Sequence, residues 1–82
     1  MVPMSDSDEV AKFERQAEAA YSAMYDARPH NVKDHHDDAQ LYYHRAIAAA
    51  RRAELASDVA RLTERAKHVE NVYNSQFRGI GR

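Results

Sequence analysis

Apolar residues recur along this chain at alternating three- and four-residue steps, the period of a helix that buries one face. In the first segment Val10, Phe13, Ala17, Ala20 or Tyr21, and Met24 form such a stripe, while Glu9, Lys12, Glu14, Arg15 and Glu18 mostly lie off it. Just upstream, Asp6 with Glu9, or Ser5 with Asp8, can satisfy free backbone N–H groups and set negative charge on the positive end of a helix. Pro29 has no N–H to give and pushes Arg28 out of helical geometry. The stripe therefore predicts a helix over about 6–27.

The connector Arg28–Asn31 is short, which implies an antiparallel neighbour, and Asn31 or Asp34 is placed to cap the next helix. This second helix is expected over about 33–55, starting at Val32 or Lys33, with Ala39, Tyr43, Ala46, Ala50 and Ala53 as its seam and Tyr42, Ile47 and Ala49 flanking. Small residues there allow backbones to approach closely, and tyrosines supply the area that alanines lack. No glycine or proline falls between Leu41 and Arg78, yet the stripe does not run on. Continued by sevens, the seam would call for apolar residues at Ser57 and Glu64, whereas the later stripe is Val59, Leu62, Ala66, Val69 and Tyr73. One residue is a rotation of about 100° around a helix, so the slip predicts a tight break at Ala56–Ser57, with Ser57 and Asp58 starting a third helix. That helix is expected over about 58–77, burying Val59, Leu62, Ala66, Val69, Val72, Tyr73 and Phe77, with Gly79 as its stop. The expected fold is all-α: a small antiparallel three-helix bundle over 6–77, with a disordered N-terminus at 1–5 and a flexible tail at 78–82.

Length and composition narrow this further. Eighty-two residues make one domain, in which a single core gives only about 3–5 kcal/mol unless something reinforces it. The absence of cysteine removes a disulfide, a four-thiolate zinc site and a cysteine nucleophile. The net charge of −1 is unevenly spread: residues 1–38 hold nine acids against four bases, and residues 39–82 hold four acids against eight bases. An acidic first helix beside basic later ones is expected to pair with them, within one chain or between two. No apolar run approaches the roughly 20 residues that span a bilayer, and no signal-peptide core follows Met4, so a cytoplasmic setting without membrane contact is expected.

Candidate chemistry is sparse. His30, Asp34, His35, His36, Asp37, Asp38 and His44 include ligand types for a divalent transition metal, and His36, Gln40 and His44 fall four apart. His36, His44 and Asp37 are the metal candidates, although no established ligand spacing is present, and a solvated acidic helix start is the plainer reading. The row Arg45, Arg51, Arg52, Arg61, Arg65 and Lys67 could follow a phosphate backbone, but the acidic first half opposes nucleic-acid binding. No phosphate-binding glycine loop and no nucleophile context is visible, and Glu14 and Glu18 are expected on exposed surface, so neither a catalytic residue nor a cofactor is assigned. Tyr42 and Tyr43 are adjacent and cannot both point into one seam. With Arg45 and Arg52 beside them, they mark the expected partner-binding surface.

The run Leu41-Tyr42-Tyr43-His44-Arg45-Ala46-Ile47, followed by a turn and Leu62-Thr63-Glu64-Arg65-Ala66, resembles the last two helices of MIT domains and the helix pairs of tetratricopeptide repeats. The matching residues are Leu41, Tyr42, Ala46, Ile47, Arg65 and Ala66, and the resemblance covers Gln40 to Tyr73. The Trp, Leu-Gly and Tyr positions of the tetratricopeptide pattern have no counterpart, and no second copy of it is present. The resemblance implies a module that accepts a partner's helix or extended segment between its helices. The expected function is thus a small non-enzymatic protein-interaction module, self-associating as a homodimer or binding a partner segment in a groove. A metal-binding protein using the cluster at 30–44 is the alternative, and a weak nucleic-acid binder the next.

Overall fold

The computed structural model describes residues 6–77. The described chain is all-α, a bundle of three helices: α1 (Asp6–Asp26), α2 (Val32–Arg52) and α3 (Ala56–Val72). A single 3-10 turn, Pro29–Asn31, leads into α2, and a wide π-type turn, Tyr73–Phe77, continues α3. The expected disordered N-terminus and the tail with its Gly79 stop lie outside the described residues. No helix among the described residues is long and apolar enough to cross a membrane.

The α1–α2 seam follows the stripe. From α1 it takes Val10, Ala17 and Met24, seven residues apart and all buried, with Phe13, Ala20 and Tyr21 partly covered at the edges. From α2 it takes Ala39, Tyr43, Ala46, Ala49 and Ala50, none with exposed surface. Alanine has no side-chain entropy to lose and lets two backbones come close, so this seam combines high helix propensity with dense contact. The helices run antiparallel, since Glu18 meets Tyr43 and Glu9 meets Arg52.

α2 begins at Val32, one of the two expected starts, but Val32 and His36 are both buried, so the core extends under a segment expected to be solvated. Asn31 occupies the capping position, but its side chain makes no capping bond; its N–H instead donates to the Arg28 carbonyl at 2.8 Å and closes the 3-10 turn. Asp34 lies within the first helical turn, where its charge suits the dipole.

The α2–α3 break is real but falls earlier than Ala56–Ser57. It occupies Ala53 to Leu55, and Leu55, not Ser57, stands at the capping position of α3. The cause is a Schellman closure. The Glu54 N–H donates to the Arg51 carbonyl at 3.0 Å and the Leu55 N–H to the Ala50 carbonyl at 2.9 Å, with Glu54 in the left-handed region at φ 58°. Leu55 then folds back onto the core. Glycine usually fills that left-handed position; a residue with a Cβ there costs about 1–2 kcal/mol.

Beyond the break α3 buries Leu62, Ala66 and Val69 at the expected positions, while Val59, Val72, Tyr73 and Phe77 are only half-buried. It runs antiparallel to α2, with His36 against Glu70 and Gln40 Nε2 donating to the Ala66 carbonyl at 3.0 Å. It therefore runs parallel to α1. In the closing π-type turn Ser75 Oγ donates to the Asn71 carbonyl at 2.9 Å, satisfying a backbone group at the end of the regular ladder.

Candidate functional site

Two places hold side chains beyond simple packing. The first is the junction of all three helices, built on Glu18 of α1. Arg65 donates to it in a fork, Nε to Oε2 and Nη2 to Oε1, both at 2.8 Å, and the wholly buried Tyr43 hydroxyl donates to Oε2 as well. The Arg65 hydrogen bonds hold the Glu18 carboxyl below its ordinary value, against a desolvation that pushes it up. Burial and the Glu18 carboxylate push the Tyr43 phenol up, and Glu18 pushes Arg65 up. The Arg65 guanidinium also lies 5.1 Å from the centre of the Tyr21 ring. Glu18 is thus half-buried and perturbed, not the plain surface acid expected. One turn back Arg61 donates to Glu14, by Nη1 and by Nη2 at 3.1 Å, and reaches Asp58 at 3.2 Å. Because the Glu14–Glu18 and Arg61–Arg65 spacings are both four and α1 runs parallel to α3, the two pairs form a ladder in register. Equal spacing of opposite charges in two segments was the signal that could have found it.

This ladder takes up much of the basic row. Arg61 and Arg65 bind acids of α1, and Arg52 Nη2 donates to Glu9 at 2.9 Å. The acidic helix and the basic ones pair within one chain. The four residues expected to meet a partner are therefore unequal. Tyr43 is wholly buried because the seam takes it, so it has no surface to offer a partner. Arg52 is engaged with Glu9, Tyr42 packs against the rim of the core, and Arg45 lies 5.6 Å from the centre of the Tyr42 ring.

The metal candidates separate. His36 is buried, stacked on Tyr73 with ring centres 4.1 Å apart; its Nε2 is hydrogen-bonded to Glu70 at 2.5 Å and its Nδ1 lies 3.3 Å from Asp37. Asp37 accepts from Lys33 Nζ at 2.8 Å, which holds its carboxyl below the ordinary value. His44 is exposed. Eight residues carry it about 80° around the helix from His36, too far to share a ligand set. Among the described residues no three His, Cys, Asp or Glu side chains are grouped so as to hold a metal ion.

The second place is an open recess of about 430 Å³ at the α2–α3 turn, lined by Arg51, Glu54, Leu55, Ala56, Val59 and Ala60. Its floor is hydrocarbon. The Arg51 and Glu54 side chains at its rim make no hydrogen bond or ion pair among the described residues. The one-residue slip foretold the turn, but nothing in the local composition marked a recess there. No protein-family model, no curated protein and no solved structure matches the chain.

Proposed function

We propose that the chain is a small, non-enzymatic, self-associating helical interaction module that takes a protein segment in the recess between α2 and α3. The observation that carries this reading is the recess itself: Leu55, Ala56, Val59 and Ala60 present hydrocarbon to solvent between two helices. An apolar groove between helix ends is where a partner helix or extended segment buries its own apolar side chains. The resemblance of Gln40 to Tyr73 to groove-forming helix pairs points the same way. The acids and bases at the three-helix junction are engaged with one another, so that site supports a structural role in preference to chemistry on a substrate.

Amide spectra of isotope-labelled protein over a wide concentration series test the reading. Shifts that change with concentration and concentrate at residues 51–60 are the expected result. Spectra insensitive to concentration, and equally insensitive to fractions of a native lysate, would remove it.

A further inference from the structure

Glu54 holds a left-handed backbone conformation, φ 58°, at a position where glycine would be free of strain. A side chain kept at such a position is a reason to ask what the side chain does. Its carboxylate forms no hydrogen bond or ion pair among the described residues, and neither does the guanidinium of Arg51, three residues earlier. The neighbouring arginines differ: Arg52, Arg61 and Arg65 all engage acids of α1. One open cation and one open anion therefore flank an apolar recess. A partner of arbitrary composition would not call for that balance, whereas a second copy of the same surface does. About a two-fold axis each Arg51 meets the other copy's Glu54, so both charges are matched twice while both recesses are covered.

We infer that the recess is a two-fold homodimer face, in which Arg51 of one copy pairs with Glu54 of the partner subunit above Leu55, Val59 and Ala60. The inference rests on the reading of the recess as a protein-binding site and names its occupant.

The test is sedimentation velocity at several concentrations on the whole chain, its Arg51→Glu and Glu54→Arg variants, an equimolar mixture of the two, and Glu54→Gly. The whole chain is expected to show a monomer–dimer equilibrium. Each charge reversal sets like charges against each other and is expected to sediment as monomer where the parent is dimeric. The mixture is expected to regain the dimer, because each variant then supplies the charge the other lacks. Glu54→Gly relieves the backbone and is expected to melt at higher temperature while dimerising about tenfold more weakly, a combination that misfolding could not produce. Reversals that dimerise like the parent would overturn this face and leave the interaction reading standing. A mixture that stays monomeric would overturn the two-fold pairing. A parent that is monomeric at every concentration would overturn the inference together with the self-association on which it rests.

Discussion

The two contacts that α1 makes are chemically opposite. Against α2 it lays Val10, Ala17 and Met24 on a row of alanines and the Tyr43 ring, and the Glu9–Arg52 ion pair between the two helices sits outside that seam, at its solvent-facing edge. Towards α3 it extends long charged side chains, Glu14 to Arg61 and Glu18 to Arg65. The first contact removes apolar surface from water and depends on shape. The second leaves Glu18 and Arg65 more than a third exposed, at 38% and 37%, so water screens most of their attraction. The seam should carry stability, and the ladder should mainly fix which face of α1 looks towards α3 and in what register. Tyr43 joins the two, with its ring in the seam and its hydroxyl on Glu18.

The division breaks most visibly if the seam is emptied. Met24 is among the largest wholly buried side chains, and Met24→Ala should cost about 2–5 kcal/mol through lost transfer energy and an unfilled cavity. Urea unfolding followed by circular dichroism measures it. A loss below about 1 kcal/mol would mean that the seam is not where stability resides. The opposite change is nearly as informative. Ala46 has no exposed surface and stands where the backbones approach, so Ala46→Leu should destabilise by about 1–3 kcal/mol through overpacking, despite leucine's good helix propensity. If it were neutral, the interface would have slack that the alanines do not suggest.

The same contrast decides how much of the molecule was legible in the sequence. The seam was, because burial imposes a period: Val10, Ala17, Met24, Ala39, Tyr43, Ala46 and Ala50 all lie where the stripe put them. Carried back from Ala39 by three and then four residues, the same stripe reaches His36 and Val32. Their burial was therefore readable too, but histidine and the acids around it suggested solvent instead. The phase slip located a break, and its position was missed because Glu54 fills a place where glycine would have marked it. The ladder depends on two segments 47 residues apart. Charges carry no period of their own on an exposed face, so only the matched spacing of Glu14–Glu18 and Arg61–Arg65 hinted at it. The recess had no signature, since Leu55, Ala56, Val59 and Ala60 are also what a buried helix start would contain.

The ladder can be measured on its own terms by a double-mutant cycle on Glu18→Gln and Arg65→Gln. A coupling of about 0.5–1 kcal/mol is expected, at the upper end for an exposed pair because the arginine binds in a fork. Coupling near that of Met24→Ala in size would erase the distinction between the two faces of α1; none at all would leave the ladder without even its orienting role.

The smallest effect is the pH dependence of the same pair. Arg65 and Tyr43 hold the Glu18 carboxyl below its ordinary value of 4.5 in the folded chain. The unfolded chain therefore takes up this proton first as the solution is acidified. The stabilisation from Glu18 is present in full above the ordinary value and fades as pH falls through the lowered one. Glu18→Gln has no such proton to bind. The gap in urea midpoint between parent and variant should be widest near neutral pH and shrink once the solution passes below about pH 4. Asp37, lowered by Lys33, titrates in the same direction, but it does so in both proteins and cancels from the difference. The gap should amount to a fraction of a kcal/mol, because water reaches both partners. A gap that stayed constant through acid would assign the loss in Glu18→Gln to altered packing around Tyr43 and not to charge. The ladder would then be an extension of the seam, and the contrast between the two faces of α1 would collapse into one continuous core.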